Sequence, residues 1–155
     1  MTGRTATATA VRPWIGTVVR LVLAVVMLAA GLLKARDIAA SVRAVHAYDL
    51  LPGGVADLVG YALPFLEIAV GVFLLLGLAT RVAALVTAVL MALFVLGILS
   101  AWARGLSIDC GCFGGGGTVE QGDTGYLGDV MRDGALLVGA LLLAVWPRTR
   151  LSVDP

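Results

Sequence analysis

Apolar residues gather into four long runs separated by polar breaks, at about 14–34, 55–78, 82–103 and 129–146. Each approaches the roughly 20 residues that a helix needs to cross a ~30 Å hydrocarbon core. None alternates polar and apolar positions as a barrel strand does, so the pattern predicts helices. The first run, from about Trp14 to Leu33, is interrupted by Arg20 near one end. The second, about Val55 to Leu78, carries Pro64 and Glu67 inside it. The third, Val82 to Ala103, is uncharged throughout. The last begins near Asp129, but its uninterrupted apolar part is only Gly134 to Trp146, which places Arg132 and Asp133 in its first turn or at the interface.

The breaks are as informative as the runs. From Arg36 to Leu51 the charges Arg36, Asp37, Arg43 and Asp49 interleave with Ile38, Val42, Val45 and Tyr48 at helical spacing, which predicts an amphipathic helix at the interface or folded back on the bundle. Pro52-Gly53-Gly54 ends it. Thr80-Arg81 is a very short turn, so the runs on either side are antiparallel neighbours. Arg104 to Gly128 is the one stretch both long and polar, and it holds the chain's two cysteines, Cys110 and Cys112. The predicted fold is therefore an all-α membrane protein over 1–155: a four-transmembrane-helix bundle with an amphipathic segment after helix 1 and a polar cysteine loop between helices 3 and 4. The first run has a second reading as a secretory signal, with Arg4, Arg12 and Arg20 as the basic region, Leu21 to Leu33 as the apolar region and Ala29-Ala30-Gly31 as small residues.

Composition supports the membrane assignment and removes other classes. With 60% hydrophobic and 14% charged residues, the chain is far more apolar than a water-soluble domain. Its Lys and Arg are scattered singly and the net charge is +1, so no basic stripe exists for nucleic acid. Charge does not orient the bundle. Arg4, Arg12, Arg20, Arg81, Arg148 and Arg150 on the terminal side face Lys34, Arg36, Arg43, Arg104 and Arg132 on the cysteine side, which is nearly even.

Cys110-Gly111-Cys112 is the main candidate for chemistry. Cysteines at i and i+2 can reach disulfide distance when the intervening residue bends freely, as glycine does. So small a ring contributes little to stability, and strained, exposed disulfides exchange readily, which favours a working redox pair over a staple. Two other readings stand beside it: reduced small hydrophobes at the membrane edge, or a metal site. For a metal, His46, Asp109 and Asp123 are the additions available for zinc, while copper(I) accepts two thiolates. The run Gly114 to Gly117 lacks the Gly-Lys-Ser/Thr ending of a phosphate loop and reads as a flexible tether. Glu67 lies well inside the second run, where an ionisable group marks either function or an interhelical hydrogen bond. Lys34, at the far end of the first run, either snorkels to the headgroups or faces the same cavity as Glu67, and the two are candidate quinone-side residues. Tyr48, Tyr61 and Trp102 fall near the same interface, where aromatic rings are commonly enriched.

The order of these features resembles the MauE branch of the DoxX-like membrane proteins. The stretches that carry the resemblance are Ala30-Gly31-Leu32-Leu33-Lys34 with Arg36-Asp37; His46-Ala47-Tyr48-Asp49-Leu50-Leu51-Pro52; Leu63-Pro64-Phe65-Leu66-Glu67 with Gly71; and Asp109-Cys110-Gly111-Cys112-Phe113-Gly114. The resemblance implies a four-helix bundle in the bacterial plasma membrane, cysteines outside and termini in the cytoplasm. It implies redox maturation of exported proteins with a thioredoxin-like partner, as the namesake is needed to produce the disulfide-rich small subunit of methylamine dehydrogenase. Quinone-coupled disulfide generators carry two cysteine pairs, and this chain has one. The expected function is thus a membrane thiol:disulfide redox protein, with a non-catalytic, copper-binding or scaffold subunit as the rival reading.

Overall fold

A computed structural model describes residues 4–120, 124–147 and 149 of the chain. Asp123, Arg148 and Arg150, and the side chains of Arg4 and Arg12, lie outside the described residues. Among the described residues five helices and one small hairpin follow in order: α1 (Arg4–Arg36), α2 (Ile38–Ala47), α3 (Gly53–Leu76), α4 (Thr80–Ala103), β1 (Ile108–Asp109), β2 (Gly117–Thr118) and α5 (Tyr126–Val145). Three of the helices are long and apolar enough to cross a membrane: Trp14–Arg36 of α1, α3 and α4. The fourth expected span is a helix, α5, but a less apolar one, with Asp129, Arg132 and Asp133 in its first turns.

The boundaries follow local chemistry. After α1 the Asp37 carboxylate accepts the Ala40 N–H at 2.8 Å and starts α2 as an N-cap. Gly77, at φ 67°, ends α3 in the left-handed conformation, so the helix stops before Leu78, which the hydrophobic pattern had included. Ala79 also has a positive φ, and α4 starts immediately after it. The final helix begins three residues earlier than the apolar pattern predicts, because Tyr126 packs inward against Ile98, Ala101 and Ile108.

Packing is dominated by small residues. α1 lies chiefly on α3, and α4 on α5, around a core that includes Ala24, Met27, Leu74, Ala84, Met91, Ala140 and Leu143. A methyl group added at Gly31 would sit 2.7 Å from the Pro64 carbonyl oxygen, and one at Gly60 would sit 2.6 Å from the Val42 Cα. Backbones therefore touch at both crossings, the close approach that small residues allow between helices in lipid. Pro64 lacks an N–H, so the Gly60 carbonyl one turn earlier loses its helical donor, and the buried Ser41 hydroxyl of α2 donates to it instead at 2.9 Å.

The charge that interrupts the first run is buried. Arg20 is 1% exposed, and its Nη1 donates to the Leu74 carbonyl at 3.2 Å, at the C-terminal end of α3. Unpaired carbonyls and the negative end of the helix dipole favour a cation there. At the opposite end, His46 of α2 and Asp57 of α3 meet at 2.7 Å, and Arg104 donates to the carbonyls of Tyr48 and Asp49. These contacts fix the α2–α3 corner beneath the cysteine hairpin.

Candidate functional site: a cysteine hairpin seated on the helix ends

Residues 110–116 form the turn between β1 and β2, whose antiparallel register pairs Ile108 with Thr118 and Asp109 with Gly117. Four consecutive glycines, Gly114 to Gly117, all adopt positive φ, which lets the chain fold back over the helix ends. The glycine run is not a free tether. A Cβ at Gly116 would fall 2.5 Å from the Cβ of Ala44, and one at Gly114 would fall 2.9 Å from the Cβ of Leu33. The hairpin thus rests on α2 and on the end of α1. Two tyrosines hold its base: Tyr126 donates to the Leu106 carbonyl and accepts the Ile108 N–H, and Tyr48 donates to the Cys110 carbonyl at 3.0 Å.

Both cysteines are free thiols, and their surroundings differ. Cys110 is partly exposed; its Sγ accepts the Cys112 N–H at 3.3 Å and lies 3.6 Å from Nη2 of Arg132. Cys112 is 6% exposed, and its Sγ lies 3.5 Å from Oδ2 of Asp133. Arg132 connects the two halves, since its Nε donates to Oδ1 of Asp133 at 2.9 Å, its Nη1 pairs with Asp129 at 3.0 Å, and its guanidinium lies 4.8 Å from the centre of the Phe113 ring.

This asymmetry separates the acidities of the two thiols. The Cys112 side chain beside it is the main influence that holds Cys110 below the ordinary thiol range, with the Cys112 N–H and Arg132 adding to it against the effect of burial. Cys112 is pushed up by the neighbouring Cys110 side chain, by burial and by the negative groups beside it. Tyr48 is raised chiefly by burial and then by the adjacent cysteines, so it stays a neutral phenol able to donate to Cys110.

Lys34 and Glu67, expected to share a cavity, are brought together directly. Lys34 Nζ lies 2.6 Å from Glu67 Oε1, and the two side chains are 4% and 0% exposed, so Lys34 does not snorkel. The ammonium also lies 5.2 Å from the Phe94 ring, while Glu67 Oε2 is buried without a hydrogen-bond partner among the described residues. Lys34 is close enough for its charge to favour the Cys112 thiolate. The remaining candidates disperse: His46 pairs with Asp57, and Asp109 Oδ1 accepts the Gly111 N–H at 3.3 Å. No group of three or more His, Cys, Asp or Glu side chains gathers for a metal among the described residues. Arg132, Asp133 and Tyr48 are the cysteines' partners that sequence reasoning did not assign. The one signal available was an adjacent Arg-Asp pair at the head of an otherwise apolar run.

The family model described as methylamine utilisation protein MauE matches residues 12–146, from within α1 to the residue after α5. The chain belongs to the MauE family. In this MauE chain the match takes in the cysteine hairpin, the Lys34–Glu67 pair and the Arg132-Asp133 pair together. No curated protein and no solved structure matches this MauE chain significantly.

Proposed function

We propose that this MauE protein is a membrane thiol:disulfide redox protein that supports the maturation of exported proteins, exchanging electrons with an extracytoplasmic thioredoxin-like protein in a methylamine-utilisation setting. The observation that carries this reading is the electrostatic difference between two adjacent thiols, Cys110 next to a cation and partly exposed, Cys112 next to a carboxylate and buried. A pair with one activated and one protected sulfur suits exchange through a mixed disulfide. In the oxidising direction a partner thiolate attacks the Cys110–Cys112 disulfide, and the partner's second thiolate then releases the mixed disulfide. The partner gains the disulfide and the pair is left as a dithiol.

In this reading α5 completes a four-span bundle in the bacterial plasma membrane, with the termini cytoplasmic and the hairpin outside. A lipid-soluble quinone is the proposed electron acceptor. Lys34 would donate to a carbonyl oxygen of such a head group and the unpartnered Glu67 Oε2 would accept from the hydroxyl of its reduced form, and the group would supply a two-electron sink when bound.

The test is to trap thiols in cells with acid and alkylate them. Cys110–Cys112 is expected as both dithiol and disulfide, with the balance shifting when the thioredoxin-like partner or the quinone is removed. Cys110→Ser and Cys112→Ser should each abolish maturation. Full complementation of a deletion by both variants would refute the redox reading and leave the scaffold reading in its place.

A further inference from the structure

Arg132 and Asp133 are adjacent in the chain, yet they serve different sulfurs. At the head of α5 the guanidinium reaches Cys110 at 3.6 Å, while the carboxylate reaches Cys112 at 3.5 Å. Asp133 is 2% exposed and uses both its oxygens, Oδ1 for Arg132 and Oδ2 for the Cys112 thiol. A buried carboxylate is costly unless it is paired, and here the pairing aims its second oxygen at a sulfur that must lose or gain a proton whenever the cysteine pair changes state. Cys112 cannot act as a thiolate beside a like charge without first passing its proton on, and no other carboxylate among the described residues has an oxygen in hydrogen-bond contact with it.

On the basis of the redox reading above, we propose that Cys110 is the sulfur that carries the partner and that Asp133 is the general base and acid for Cys112, with Arg132 stabilising the Cys110 thiolate and fixing the Asp133 carboxylate. With a disulfide substrate, the Cys110 thiolate attacks one sulfur; the Cys110–S bond forms, the substrate S–S bond breaks, and one thiolate leaves. Cys112 then gives its proton to Asp133 Oδ2 as its sulfur attacks Cys110. The Cys110–Cys112 bond forms, the mixed disulfide breaks, and the second thiolate leaves. Two electrons pass from the pair to the substrate. In the oxidising direction the same steps run backwards: a partner thiolate attacks Cys110, and Cys112 leaves with the proton that Asp133 returns to it. The lowered pKa of Cys110 and the raised pKa of Cys112 agree with this division.

The roles separate in the reaction of the full-length reduced protein, in detergent or nanodiscs, with the chromogenic disulfide 5,5′-dithiobis(2-nitrobenzoate). The unaltered protein should release thionitrobenzoate in two phases, the first leaving an adduct on Cys110 and the second closing the Cys110–Cys112 disulfide. Asp133→Asn keeps an oxygen for Arg132 Nε and removes the base. It should leave the first phase within about two-fold and slow the second by about 100-fold, the lower end of what a positioned general base contributes. Cys112→Ser should stop after the first phase. An Asp133→Asn variant with an unchanged second phase would overturn the role of Asp133. A first adduct on Cys112 in the unaltered protein, read by mass spectrometry, would overturn the assignment of Cys110 without any variant needing to fold. If the unaltered protein takes up two adducts and never closes a disulfide, the redox reading falls and this inference with it.

Discussion

The Ser41 hydroxyl occupies the donor position that Pro64 vacates on the Gly60 carbonyl, joining α2 to α3 where the latter's own ladder is broken. A buried carbonyl left without a donor costs about 1–3 kcal/mol. Ser41→Ala should therefore lower stability by about that amount, read from thermal unfolding in detergent. In a Pro64→Ala background, where residue 64 regains its N–H, the same change should cost little. Equal losses in both backgrounds would mean that Ser41 stabilises through something other than this carbonyl.

The Lys34–Glu67 pair is buried on both sides, so removing one partner strands the other. Breaking a buried pair costs about 3–5 kcal/mol, whereas replacing both partners by apolar residues of similar volume is often neutral or stabilising. Glu67→Gln should destabilise the bundle and impair redox activity. Lys34→Met with Glu67→Leu should restore stability without restoring activity. A double variant with full activity would make the pair purely architectural.

The Cys110 thiolate persists to lower pH than an ordinary thiol, because its folded-state acidity is increased by the Cys112 thiol and Arg132. Its alkylation by iodoacetamide should therefore stay fast well below the usual thiol range and fade only as pH falls through the lowered value. Arg132→Gln removes one donor and moves the profile upward, cutting the rate at neutral pH several-fold. An unmoved profile would show that the guanidinium does not act on Cys110.

Gly116→Ala places a Cβ 2.5 Å from that of Ala44 at a φ of 100°, and both problems push the hairpin off α2. Loss of stability of about 2–6 kcal/mol is expected, since strain at such a φ and overpacking each cost about 1–3 kcal/mol. Ala44→Gly should restore only the part due to contact with Ala44, since the added Cβ would also sit 2.8 Å from the Gly111 Cα. Full rescue would mean that backbone strain contributes nothing.

The proposed topology places Cys110 outside the cell. A membrane-impermeant maleimide should label it in intact cells after mild reduction, and labelling only after lysis would reverse the orientation.

Much of the fold could be read from the sequence because hydrophobic runs and turn residues are local signals. The apolar runs 14–34, 55–78, 82–103 and 129–146 fall on the helices α1, α3, α4 and α5, and the amphipathic stretch on α2, while only α1, α3 and α4 are long and apolar enough to cross a membrane among the described residues. Boundaries shifted where a single residue decided them, as at Gly77. Within the site, the two cysteines were visible by their spacing, and Lys34 and Glu67 by the cost of charge in an apolar run. The 2.6 Å pairing of those charges, the contact of Tyr48 with Cys110 and the reach of Arg132 and Asp133 were not, because each depends on how distant segments dock. The seating of the glycine run on Ala44 is of the same kind, since composition alone reads four glycines as loose chain.

That seating ties residues far apart in the chain into one evolutionary unit. Ala44 lies beneath both Gly111 and Gly116, each of which would bring a side-chain carbon within 2.7 Å of its methyl group. A lineage cannot enlarge residue 44 while keeping the hairpin where it is, nor replace either glycine while keeping alanine below. Among MauE sequences, positions 44, 111 and 116 should therefore change together or not at all, and an exception should also carry a hairpin of different length.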